Sequence, residues 1–286
     1  MIIRSLRSGI TRVWTNKRMI FPFYLANLVF GLLIMLPLGY VLDDFVGHSM
    51  MRERIGEAMD YNFLFEFLQY ASSGLASVKG MLFTVPFAYW LAALFLSGGA
   101  LAIFAGGKRY SPSTFWAGAA AHFGRFIRLT LMAIPLLIAL FCLRYVVSLV
   151  QWLLFGGDPY GTIIYWGAWA KMALGFFGLI LFGLIFDYAR IHLVLTDNRK
   201  VRESLWHGAR FAAKNPKNTL GLAFLLFAAG WLAVLAYYLT SNLFAAPGWI
   251  LVIALLIWQQ LYIVFRMALR LTAYSSQMEL YHSVSP

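Results

Sequence analysis

Six stretches of about 20 or more mostly apolar residues run through the chain, at approximately 20–42, 81–104, 128–154, 164–195, 219–243 and 249–270. A helix needs about 20 such residues to cross roughly 30 Å of hydrocarbon at 1.5 Å per residue. No other feature restricts the fold as much. A chain this apolar needs a hydrocarbon solvent, so the sequence predicts a lipid-dissolved, all-α, six-span bundle. Composition agrees: 62% of residues are hydrophobic and 12% charged, against roughly 25% charged in ordinary globular chains. Disordered, coiled-coil, collagen and disulfide-scaffold classes are excluded. The single cysteine, Cys142, allows no internal disulfide and no cysteine-built zinc site. Pro22, Pro37, Pro86 and Pro135 fall in or beside spans, where neighbouring helices can satisfy the freed carbonyls.

The net charge of +12 is unevenly distributed. One set of connections holds 18 basic and 4 acidic residues. It comprises Arg4, Arg7, Arg12, Lys17 and Arg18 at the N-terminus, Lys108 to Arg128, Asp187 to Lys217, and Arg266 to Glu279. The other set, with Arg144 and Lys171, holds 5 basic and 7 acidic residues. Basic residues near span ends fix orientation, which places both termini in the cytoplasm. Trp152, Tyr160, Tyr165, Trp166, Trp169 and Trp249 then cluster at the outer interface. The same bias accounts for the positive charge without nucleic acid, for which the chain carries no motif. The first apolar run is too long for a cleaved signal and reads as span one, and no lipidation motif is present.

Three cytoplasmic segments share a pattern of hydroxyl, large apolar residue, two variable positions and glycine. They are Ser5 to Gly9, Thr114 to Gly118 and Ser204 to Gly208, each followed by a two-helix hairpin. Trp14, Phe123 and Ala213 follow at five residues past the glycine, and Asn16, Arg125 and Asn215 at seven. The last two copies also share an arginine nine residues before the glycine, Arg109 and Arg199. The expected architecture is a threefold pseudo-repeat of an amphipathic cytoplasmic helix plus a hairpin, with units at 1–104, 111–195 and 201–275 of one membrane domain, 1–286. In the first copy Ile2, Ile3, Leu6, Ile10, Val13 and Trp14 form one face, and Arg4, Arg7 and Arg12 lie mainly on the other. Such a helix suits the headgroup plane of an anionic membrane.

The stretch from Asp187-Tyr188-Ala189-Arg190 through Leu195-Thr196-Asp197-Asn198-Arg199, then Glu203-Ser204-Leu205, Gly208, Phe211 and Asn215, resembles a pattern in uncharacterised six-span bacterial membrane proteins. It is similar also to the membrane domain that precedes some glycerophosphodiester phosphodiesterases. The resemblance implies a bacterial cytoplasmic-membrane module, not an enzyme, since no phosphodiesterase domain is present.

Catalytic motifs are lacking. The five histidines are scattered, with no HExxH. Gly106-Gly107-Lys108 has Ala102 and Arg109 where a phosphate loop needs glycine and a hydroxyl, and reads as a turn. Ser97-Gly98-Gly99 could supply an intramembrane nucleophile but suits close helix packing better. No cofactor or metal is implied. The candidate binding residues are the polar ones inside spans, where burial is costly. Arg144 is either an interfacial anchor or a headgroup contact. Lys171 reads as an anchor. Asp187 and Arg190 are spaced i,i+3 and can pair, as a structural bridge or as a proton- or anion-coupled site. Gln259 and Gln260 stand about 100° apart on one helix, so at least one should face the bundle, as interhelical glue or as a cavity wall. The outer loop 43–80 suits two short surface helices, at Met50 to Met59 and Tyr61 to Tyr70, or a packed re-entrant connection.

The leading expectation is a non-enzymatic module that handles amphiphiles, with anionic lipids, a membrane-protein partner or a second copy as its partners. The alternatives are a small-solute channel or transporter lined by Gln259, Gln260, Ser97 and Thr130, and an intramembrane enzyme. A dry bundle with a lateral groove would favour the first, and a wet central cavity the second. The charge asymmetry yields a direct test of topology. Cysteines placed at Ser49 and Ser72 should label in intact cells, and those at Ser111 and Ser283 should not. Labelling at Ser283 from outside would overturn the six-span arrangement.

Overall fold

A backbone without water to bond must bond within itself, and helices do so most simply. The chain follows that rule: in the computed structural model it is 93% helix, with no strand among the described residues. The structure describes residues 1–47, 61–107, 109–157, 160–197, 200–241 and 248–284. The helices are α1 (Ile2–Thr15), α2 (Ile20–Val46), α3 (Tyr61–Tyr70), α4 (Ser72–Gly106), α5 (Pro112–Phe141), α6 (Arg144–Phe155), α7 (Gly161–Thr196), α8 (Val201–Lys214), α9 (Pro216–Ser241) and α10 (Trp249–Val284). A 3₁₀ turn, Lys17–Met19, joins α1 to α2. Among the described residues, six stretches are long and apolar enough to cross a membrane: Lys17–Val46, Val78–Gly106, Pro112–Phe155, Gly161–Thr196, Pro216–Ser241 and Trp249–Val284. They coincide with the six apolar windows and fit a multi-pass membrane protein.

Two boundaries differ from the sequence reading. The third span is interrupted at Cys142–Leu143, dividing α5 from α6. The sixth does not stop near residue 270. It continues to Val284, with Leu271, Tyr274, Ser275, Ser276, Gln277 and Met278 buried. A helix need not end where its apolar window ends if its next turns pack against protein. His48 to Asp60, Lys108, Asp158 and Arg199 carry part of the charge count, and Met50 to Met59 the first outer-loop helix; all lie outside the described residues.

Local chemistry sets several helix ends. Ser111 caps α5, accepting from the Thr114 amide at 3.5 Å, with Pro112 at the first helical position. Asp197 ends α7 in the left-handed region at φ 47°, one of the few side chains that tolerate it. Asn16 and Asn215 mark the ends of α1 and α8. Their side-chain amides donate back to the carbonyls of Arg12 and Phe211, at 2.8 and 3.4 Å. Asn16 also accepts from the Tyr110 amide at 2.7 Å. Arg125 stands where those asparagines would, and there α5 runs on unbroken into its span.

Contacts divide the chain into two compact units, Phe21–Leu96 and Met1–Ile20 with Ser97–Pro286. In the first, Tyr89 donates to Asn27 at 3.5 Å and meets Phe30 edge-on. Its short helix α3 forms where the aromatic, acidic segment predicted one. Phe63 and Phe67 of α3 pack with Phe45 and Val46 of α2.

In the second unit glycines set how closely helices approach. A Cβ on Gly9 would collide with Ser276 of α10, including its amide nitrogen at 2.9 Å. One on Gly118 would come within 2.5 Å of Ala102 of α4. One on Gly208 would lie 2.6 Å from the Ala189 nitrogen and the Ile185 oxygen of α7. Gly99, likewise, leaves no room against the Phe115 carbonyl at 2.7 Å, so the small residues after Ser97 serve packing. Gly124, by contrast, has nothing within 4 Å of its missing Cβ. Opposite signs follow. Gly208→Ala is expected to destabilise by about 1–3 kcal/mol through overpacking. Gly124→Ala should be neutral or stabilising by up to about 1 kcal/mol, as in any open helix interior. Thermal unfolding in detergent reads both, and equal effects would refute the packing contrast.

Candidate functional site

Asp187 and Arg190 lie one turn apart in the C-terminal part of α7, and they form the ion pair their spacing allows. Arg190 is buried. Beyond Asp187, it donates to the hydroxyl of Ser97 on α4 at 3.3 Å. Its guanidinium faces the rings of Phe186 at 4.8 Å and Tyr274 at 5.3 Å. The second oxygen of Asp187 accepts from the side-chain amide of Gln277 on α10 at 3.0 Å. A buried guanidinium is tolerable only with such a set of compensating partners. The cluster therefore ties α4, α7 and α10 together.

Beside it opens a cavity of about 980 Å³, walled by α7, α9 and α10. Along α7 it extends from Phe177 to Asp187, about 15 Å of helix, and along α10 from Tyr262 to Gln277, about 22 Å. Its two ends differ in character. Phe177, Phe227, Trp231, Val234 and Tyr262 make an apolar wall; along α10, Arg266 and Arg270 follow one and two turns after Tyr262, and Asp187 and Gln277 stand at the far end. Arg270 is held in place by Tyr274: its Nε donates to the tyrosine hydroxyl at 2.9 Å. The Tyr274 ring thus contacts both Arg270, at 5.9 Å, and Arg190. Asp187 pairs with Arg190, and Arg266 and Arg270 are the other two charged residues that line the cavity.

The other expected site residues lie elsewhere. Arg144 opens α6, where its guanidinium stacks over Phe141 at 4.4 Å and Tyr145 at 4.8 Å and donates to the Tyr145 hydroxyl at 2.8 Å. Gln260 is half-buried and partnered, while Gln259 is exposed, so one of the pair turns inwards. Thr130 donates to the Phe126 carbonyl of its own helix at 2.9 Å. None of Gln259, Gln260, Ser97 and Thr130 lines the cavity. In the N-terminal basic group, Arg12 pairs with Glu279 at 2.7 Å, and Arg4, Arg7, Lys17 and Arg18 are exposed. The face of α1 that makes the buried contact is Ser5, Gly9 and Val13. Of the apolar face read from the sequence, Ile3, Ile10 and Trp14 are exposed, while Val13 is buried.

Two features escaped the sequence reading. The fold stacks the rings of His192 and His207 at 4.5 Å and sets His192 Nδ1 2.8 Å from the Tyr281 hydroxyl, although the histidines are far apart in sequence. Among the described residues no three His, Cys, Asp or Glu side chains converge on one point. Tyr274 and Gln277 were also missed, because the apolar window ends before them. The signal for them was Met267, Leu271, Tyr274 and Met278, a helical spacing of four, three and four that continues past residue 270.

Comparison with known protein families, curated proteins and solved structures finds no match. Among the described residues, fold and site define an all-helical chain with six helices long and apolar enough to cross a membrane, and a cavity lined by an apolar wall and by Arg266 and Arg270.

The ion pair has a distinctive mutational signature. Asp187→Ala leaves Arg190 buried without its counter-ion and should destabilise by about 3 kcal/mol or more. Asp187→Ala combined with Arg190→Met should recover most of that loss. A double variant as unstable as the single one, by thermal or denaturant unfolding, would show that the pair is not what holds this junction.

Proposed function

We propose that this chain is a non-enzymatic, multi-pass protein of a bacterial cytoplasmic membrane, and that it holds an amphiphile in the cavity between α7, α9 and α10. The observation that carries the reading is the cavity's polarity along one axis, with Phe177, Phe227 and Val234 at one end and Arg266 and Arg270 towards the other. An acyl or similar apolar chain suits the first wall, and an anionic headgroup suits the second.

Topology adds direction. Under the positive-inside rule the cationic end lies near the cytoplasmic surface and the apolar end near the middle of the bilayer. A lipid of the cytoplasmic leaflet has that polarity. The exposed Ile3, Ile10 and Trp14 of α1, beside Arg4 and Arg7, fit a helix resting in the same headgroup layer. The threefold repeat belongs to this reading. Gly9, Gly118 and Gly208 each seat a short segment against the end of a long helix, α10, α4 and α7 in turn. The resemblance to six-span bacterial membrane proteins, and to the membrane domain before some glycerophosphodiester phosphodiesterases, points the same way.

The test uses the full chain extracted in mild detergent, with co-purifying lipids identified by native mass spectrometry. Gly230 lines the cavity, and a Cβ there meets only Leu269, at an ordinary 3.5 Å. Gly230→Trp should therefore obstruct the apolar part of the cavity and reduce retention of the bound amphiphile. Arg266→Gln with Arg270→Gln should shift retention from anionic to zwitterionic species. Retention unchanged in Gly230→Trp would sink the proposal.

A further inference from the structure

A second concave site lies on another side of the same unit. It has a volume of about 1030 Å³ and sits between α5 and the start of α8. From α5 it takes Arg128, Met132 and Leu136, which are four residues apart and so form one stripe along the helix. That stripe passes from a charge to apolar side chains over about 12 Å. From the other wall come Arg202 and Trp206, again one turn apart. Lys200 and Glu203 pair with each other at 3.1 Å. Arg128 and Arg202 form no ion pair among the described residues, so the mouth of the site carries two uncompensated guanidiniums. Trp206 is 69% exposed and Met132 50%, so neither is covered by the protein itself.

We propose that this crevice binds the headgroup of an anionic phospholipid, with Arg128 and Arg202 on the phosphate and an acyl chain along Met132 and Leu136. Guanidinium matches a phosphate with two parallel hydrogen bonds. An indole beside it is the side chain favoured where one end of a site is wet and the other apolar. The apolar part of the stripe lies on a helix that is long and apolar enough to span a membrane. An acidic soluble protein could satisfy the two arginines but would leave Met132 and Leu136 bare; a lipid covers both. This site shares no lining residue with the cavity of α7, α9 and α10, so the two proposals stand or fall separately.

The full chain is reconstituted in vesicles of equal parts phosphatidylcholine and phosphatidylglycerol, and binding of each lipid is titrated by native mass spectrometry after extraction. Arg128→Gln with Arg202→Gln should weaken phosphatidylglycerol binding roughly 30-fold, the effect of losing two guanidinium–phosphate contacts. Phosphatidylcholine binding should not change. Arg128→Lys with Arg202→Lys should restore most of the affinity. Arg210→Gln with Lys214→Gln removes the same charge from exposed positions of α8 outside the crevice and should leave binding within about twofold of the unmodified chain. Arg266→Gln with Arg270→Gln should likewise spare this site. Loss of equal size in the Arg210 and Lys214 variant would mean diffuse surface attraction and overturn the proposal. So would undiminished binding in the Arg128 and Arg202 variant, or displacement of the lipid by inorganic phosphate alone. Both arginines are exposed, and an unchanged melting temperature checks the fold. If the double variant does not fold, the two single substitutions carry the same comparison.

Discussion

Arg190 carries a full positive charge into a packed interior between helices. An isolated charge there would be prohibitive, so helices far apart in sequence must supply its partners. Asp187 comes from the same helix, Ser97 from α4, and Tyr274 and Gln277 from α10, the last by holding Asp187. The two elements that follow depend on this junction. α10 must continue past its apolar window to deliver Gln277, and the part that continues is the surface on which α1 rests through Gly9 and Arg12. The cavity takes its polar end from the same turns of α10.

Small residues govern the rest of the packing. Helices in lipid gain little by burying apolar surface against each other, since lipid tails are as apolar as leucine. What they gain comes from close backbone contact, which glycine permits. Gly208 brings α8 against α7, Gly118 brings α5 against α4, and Gly178 lets the Leu140 carbonyl meet α7. Large apolar side chains are consequently displaced outwards. Phe224, Trp231, Leu232, Trp249 and Ile250 are all exposed. In water such a surface would aggregate, but in hydrocarbon it is the solvated face.

The cavity and the crevice share a design within the proposed reading. Each begins at arginines one turn from a bulky or aromatic side chain and continues along a span as apolar wall. Neither needs a catalytic group, because selection between amphiphiles rests on headgroup charge and chain burial. Arg270 differs from Arg128 and Arg202 in being positioned by a tyrosine, Tyr274, which also faces Arg190. A ligand on Arg270 would therefore touch the junction that holds the bundle together, whereas one at the crevice would not.

The number of spans, their approximate limits and the i,i+3 pairing of Asp187 with Arg190 were legible in the sequence, because they depend on local period and on the length of apolar runs. The helix at Tyr61–Tyr70 was legible for the same reason. The inward turn of Gln260 with Gln259 outwards could be anticipated only as one of two outcomes, since a helix fixes their 100° separation but not its rotation against its neighbours. Which face of α1 is buried was decided by α10, whose close approach admits Ser5 and Gly9. The same holds for the reach of α10 to Val284, the stacking of His192 on His207, and the meeting of Arg266 and Arg270 with Phe177 and Phe227 in one cavity. Hydrophobic length is a property of consecutive residues and can be read along the chain; the partners of a buried charge and the walls of a cavity belong to residues brought together only when the helices pack.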